Sequence, residues 1–144
     1  MTWTKPTADD LSSCLILNTV KTARVLTRRY DNRLRPLELT VAQFSVLSVM
    51  RGNPGKSINA LAERIAMDRS TLTRNIDLLI AKGLVVKTTA ERGNGRICRL
   101  TDEGDRRLDA AIPLWREARD EMQAQLKDHD PVAYLDTLAR LAGA

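Results

Sequence analysis

The chain has 144 residues, 43% of them hydrophobic, enough for one domain with a core of its own. Its formal charge of +5 is uneven: residues 1–50 carry 7 basic and 4 acidic groups, residues 51–100 carry 10 and 4, and residues 101–144 carry 6 and 10, so a basic middle precedes an acidic end. One histidine and two cysteines far apart in sequence (Cys14 and Cys98) exclude a zinc cluster, a disulfide framework and a His-based catalytic centre, and no run of 18 apolar residues exists to cross a membrane. A soluble, cytoplasmic protein without a cofactor is expected, and the basic middle suggests a local polyanion-binding surface.

In chain order, residues 1–7 form a terminus, and nothing breaks a helix from Asp9 to Leu34. Ile16, Val20, Ala23, Thr27, Tyr30 and Leu34 recur at spacings of three and four, which is one helical face. Leu11, Cys14 and Val25 mark a second face, so this helix is expected to meet both its own domain and a partner subunit. Pro36 ends it. Thr40 and Gln43 form a capping box for the next helix, whose core stripe is Phe44, Leu47 and Met50. After the turn Gly52-Asn53-Pro54-Gly55, Ser57 caps a short helix with Ile58, Leu61 and Ile65 facing inward.

Asp68 caps the helix that follows, with Leu72, Ile76, Leu79 and Ile80 as its stripe and Gly83 as its stop. Leu84–Thr88 and Arg96–Leu100 read as two strands joined by the Gly-rich Glu91–Gly95 loop. Thr101 caps a long helix containing Pro113, with Leu108, Ile112, Trp115, Ala118, Met122 and Leu126 on one face. Asp130-Pro131 opens a last helix in which Val132, Leu135, Leu138 and Leu141 or Ala142 are expected to be buried. The fold class is therefore mainly α with a small two-stranded β-hairpin wing: a winged helix-turn-helix.

On a helical wheel the stripe of the Asp68-capped helix covers about 100°. Ser70, Arg74 and Asp77 lie opposite, Thr73 flanks them, and Arg69 and Thr71 project from the first turn. Arginine pairs bidentately with guanine, and hydroxyls reach bases or phosphates, so Arg69, Ser70, Thr71, Thr73 and Arg74 are the expected DNA-reading face. Arg92, Arg96 and Lys87 would place positive charge on the wing, suited to phosphates or a minor groove.

Leu39-Thr40-Val41-Ala42-Gln43-Phe44, the stretch Leu61–Arg74, Lys82-Gly83-Leu84-Val85 and Leu100-Thr101-Asp102-Glu103-Gly104 together resemble the MarR family of bacterial transcriptional regulators. The resemblance covers nearly the whole chain. It implies a single domain over residues 1–144, with a winged helix-turn-helix at 38–100 and dimerisation helices at 9–34 and 101–142. It also implies a homodimeric repressor or activator, a repressor being expected, on a pseudo-palindromic, double-stranded operator, released by a small aromatic or anionic effector for which Arg24, Arg28 and Arg29 offer charge. The family's wing usually carries Asp-x-Arg, where this chain has Arg92-Gly93-Asn94, so the arginine position holds Asn94 and Arg92 or Arg96 would substitute.

The family's organic-hydroperoxide repressors sense oxidant through a first-helix cysteine, which makes a redox-sensing regulator using Cys14 the alternative mechanism. Aligned on Leu39-Thr40, Cys14 falls two residues early, about 200° around the helix, and a packed thiol is the commoner state. An enzyme is not expected: there is no Gly-rich phosphate loop, and His129 between Asp128 and Asp130 reads as a turn residue. A winged helix used only for protein contacts is disfavoured by the basic recognition face.

Overall fold

The computed structural model describes residues 4–89 and 96–143. The elements run α1 (Ala8–Ser12), α2 (Leu15–Leu34), a 3₁₀ turn (Arg35–Leu37), α3 (Val41–Gly52), α4 (Ile58–Arg64), α5 (Arg69–Ala81), β1 (Val85–Thr89), β2 (Arg96–Leu100), α6 (Asp102–Ala124) and α7 (Pro131–Leu141). The predicted mainly-α class with a two-stranded wing is the observed one.

One boundary differs by more than two residues. The expected continuous helix from Asp9 is broken at Ser13-Cys14, where Cys14 has an extended backbone and caps α2. The cause is local competition for carbonyls. Ser12 Oγ donates to Asp9 O, Ser13 Oγ donates to Asp10 O, and Asn18 Nδ2 donates to the carbonyls of both Ser12 and Cys14. Helical periodicity does not register such side-chain bonds.

Elsewhere the caps do what their residue types dictate. Thr40 and Gln43 close a reciprocal capping box, Ser57 Oγ accepts from Ala60 N, and Asp68 accepts from Thr71 N. Thr101 Oγ1 accepts from Gly104 N at 3.0 Å. Between α4 and α5 the chain turns through Ala66 at φ +49°, and Met67 N donates to Ala62 O. Gly83 ends α5 at φ +72°, a left-handed position that suits glycine. The strands pair antiparallel, Val85 with Leu100 through Thr89 with Arg96.

The core lies between α3, α5, the hairpin and the first half of α6. Leu47, Leu72, Ile76, Leu79, Leu84 and Leu108 are fully buried there. Phe44 stacks on Trp115 with centroids 5.7 Å apart, and Arg119 lies over the same indole. Gln43, the one buried polar side chain among the described residues, accepts from Lys82 Nζ at 3.2 Å, which also donates to Glu38 O. On the same junction Arg107 donates to Leu37 O and Asp31 accepts from Val41 N. The segment between α2 and α3 thus ties α2, α6 and the C-terminal end of α5 together through hydrogen bonds to backbone groups.

The chain ends behave differently. The residues of α7 expected inside are not buried: Val132 is 72% exposed and Leu135 58%, with Leu141 and Ala142 exposed and Leu138 half-covered. The first half of the α2 stripe is open as well, with Ile16 65% exposed. The periodicity is real, but no other part of the described chain packs over these faces.

The cap of α5 has a pH signature. Thr71 and Ser70 hydrogen bonds pull the Asp68 carboxyl down to about 2. A carboxyl depressed on folding stabilises above its unfolded value, near 3.8, and loses that contribution as pH falls through about 2. Wild type is therefore expected to melt above Asp68→Asn at pH 5, with the gap closing as the pH falls from about 4 to about 2. Melting curves at stepped pH test this, and a pH-independent gap would contradict it.

Candidate nucleic-acid interface

The site is built on α5 because its two sides are chemically opposed. Leu72, Ile76 and Leu79 bury one side completely, which fixes the rotation of the helix and turns the other side outward. Arg69, Ser70, Thr73 and Arg74, with Asp77 and Leu78, line one shallow open concavity on that outer side. Four of the five residues expected on the reading face are thus brought together. A helix of 13 residues is about 20 Å long and fits along a major groove.

The first turn is more constrained than the wheel suggests. Ser70 Oγ donates to Asp68 Oδ1 at 2.7 Å, and Thr71 Oγ1 donates to Asp68 Oδ2 at 2.6 Å. Both hydroxyls are committed as donors to the cap, and Thr71 is also half-buried and outside the concavity. Ser70 Oγ keeps only its acceptor capacity, so a base amino group suits it better than a phosphate. Arg69 and Arg74 are exposed and form no salt bridge among the described residues.

The wing differs from expectation in one respect. Lys87, expected to add charge to the outside of the wing, instead reaches back to α5, with its Nζ 3.2 Å from Asp77 Oδ1. This pair offsets the one acid of the concavity, where Arg69 and Arg74 form no salt bridge among the described residues. It also ties β1 to the recognition helix. Arg96 is exposed at the start of β2, and Arg99, which the strand reading passes over, is exposed further along it. Arg92 and Asn94 lie outside the described residues.

The remaining candidates are dispersed. Cys14 is half-buried at the start of α2 and its side chain makes no capping bond. Cys98 is buried on β2 opposite Lys87, and burial pushes its thiol up. Arg24, Arg28 and Arg29 are exposed on α2, and Arg29 donates at 2.7 Å to the neutral Oε1 of Gln125 at the C-cap of α6, which orients its guanidinium without neutralising it.

A sequence profile of the MarR family matches residues 37–97, from α3 through the helix-turn-helix and β1 to the start of β2. The transcriptional regulator MosR of M. tuberculosis is 34% identical, over 92% of this chain and 96% of that one, and superposes with a TM-score of 0.83. The chain belongs to the MarR family. Among other structures of this fold, the transcriptional repressor CouR bound to a 23-mer DNA duplex is 27% identical, covers 96% of this chain and 99% of its own, and has a TM-score of 0.85. CouR also has a structure with p-coumaroyl-CoA. A protein of Thauera aromatica assigned to regulation of the hcr operon is 29% identical over 104 residues, which is 72% of this chain and 63% of that protein's length. No described helix is long and apolar enough to cross a membrane.

Proposed function

We propose that this MarR-family chain acts in the cytoplasm as a homodimeric repressor that reads a pseudo-palindromic operator with α5, one copy of the helix per half-site. The observation that carries it is the outer face of α5: Arg69, Ser70, Thr73 and Arg74 presented together, with the neighbouring Asp77 offset by Lys87. Dimerisation is supported by where the uncovered apolar residues lie. Leu11, Leu15, Ile16 and Leu17 sit at one chain end, and Val132, Tyr134, Leu135 and Leu141 at the other. Exposed apolar faces of this kind, repeated on two terminal helices, mark an association surface. Among the described residues the wing contributes Arg96, an exposed cation that suits phosphates or a minor groove, and Arg92 is proposed from the sequence alone.

The test is selection of bound duplexes from a random pool by the intact chain, followed by sedimentation and a salt titration on the selected site. An inverted repeat is expected, with half-sites about 10 base pairs or a multiple apart, a dimer in solution, and affinity that falls steeply with salt. No enriched sequence, or binding indifferent to salt, would refute the reading.

A specific observation favours release by a small ligand: CouR, of the same fold and nearly the same length, has been seen both on DNA and with p-coumaroyl-CoA. For this chain an aromatic or anionic effector is the corresponding proposal. Adding one to the selected complex is expected to lower DNA affinity.

A further inference from the structure

Nine large hydrophobic side chains are exposed among the described residues. Eight of them belong to the terminal helices, where they form the apolar faces described above. The ninth is Leu78, 48% exposed in the middle of the domain, on the concave face of α5 beside Arg74 and Asp77. It is not a displaced core residue, because Leu72, Ile76 and Leu79 already fill the buried side of the same helix. A single exposed leucine is ordinary. What sets this one apart is its place within a cluster whose other members are Arg69, Ser70, Thr73, Arg74 and Asp77.

We infer that Leu78 is a specificity-determining residue that packs on the C5-methyl group of a thymine in each operator half-site. This rests on the reading of α5 as the DNA-reading helix. Leu78 can neither donate nor accept a hydrogen bond, so it has nothing to offer a phosphate or a polar base edge. The major groove presents one apolar feature, the thymine methyl, and the minor groove presents none. Leu78 lies one helical turn beyond Arg74, about 6 Å along the axis. That is less than two base-pair steps at about 3.4 Å each, so the two side chains address the same short tract of groove. Asp77, which would otherwise set a carboxylate beside the base edge, is drawn toward β1 by Lys87. The half-site is therefore expected to hold a thymine within one or two base pairs of the base read by Arg74.

The experiment is a cycle between protein and DNA on the operator selected by the wild-type chain. Each thymine of one half-site is replaced singly by deoxyuridine, which removes only the methyl, and binding is measured for wild type and Leu78→Ala. At one position uracil is expected to weaken wild-type binding about four-fold, the usual value of one buried methyl-sized group. At that position Leu78→Ala should bind thymine and uracil duplexes equally, while its melting temperature stays that of wild type because the side chain is exposed. Uracil effects of equal size in both proteins would overturn the inference and leave the DNA reading standing. If the wild-type chain binds no selected duplex, the DNA reading fails and this inference fails with it.

Discussion

Replacing Gly104 by alanine is expected to destabilise the fold by about 2 kcal/mol or more, and to lower the melting temperature by roughly 4–8 °C. Gly104 is buried at the third position of α6, packed on the chain that leaves the recognition helix. A methyl group there would overlap the carbonyl oxygen of Leu84, and would stand 3.0 Å from that residue's carbonyl carbon and 3.3 Å from Leu100 Cβ. Intrinsic helix propensity works the other way, favouring alanine by about 1 kcal/mol, but an overlap with backbone cannot be relieved by rotating a side chain. Leu84 has little freedom to retreat. Its amide donates to Leu79 O, its carbonyl accepts from Thr101 N, and Thr101 Oγ1 donates to Gly83 O. Movement at Gly104 would therefore pass to the C-terminal end of α5, and operator affinity should fall with stability. Gly52→Ala is the control: nothing lies within 4 Å of the added carbon, so its melting temperature should match wild type or rise slightly. If both alanine variants melt alike, the packing argument is wrong.

The elements that sequence reading locates well are those fixed by short-range chemistry. Thr40 with Gln43, Ser57, Asp68 and Thr101 each cap the helix they were expected to cap, because a side-chain oxygen next to orphan amides needs only three residues of context. The stripe of α5 is equally legible, since Leu72, Ile76 and Leu79 can all be buried only if the helix keeps one orientation. Long-range pairing is what periodicity leaves out. Nothing in the order of residues says that Lys87 turns inward to Asp77 or that Lys82 reaches Glu38 O and Gln43. The exposed face of α7 fails for a related reason: its pattern predicts burial, but the surface that would cover it is not in the described part of one chain. At the site, a helical wheel places Ser70 and Thr71 on the reading face but does not show that the cap at Asp68 draws both hydroxyls to it. Leu78 lies on the same face, where an apolar residue outside the buried stripe carries no periodic signal of its own.

Arg74→Ala is expected to weaken binding to the selected operator by about 1–3 kcal/mol and to relax the preference at one base pair. Arg74 lies in the concavity of α5, exposed and without a salt bridge among the described residues, so its guanidinium is available as a rigid fork of donors. Loss of an exposed, unpaired side chain should leave the melting temperature unchanged, which separates a contact effect from a folding effect. Arg74→Lys keeps the charge but not the fork. It should recover the salt dependence of wild type without recovering base preference. Arg96→Ala makes the opposite comparison. Its exposed position on the wing suits phosphate contact, so affinity should drop alike on operator and random duplexes, and the salt slope should become shallower by about one phosphate. The two arginines are therefore distinguished by what their loss does to sequence preference and to salt slope, two independent quantities. If Arg74→Ala lowers affinity equally on every duplex, Arg74 is a phosphate contact, and base reading must rest on Arg69, Ser70 and Thr73 instead.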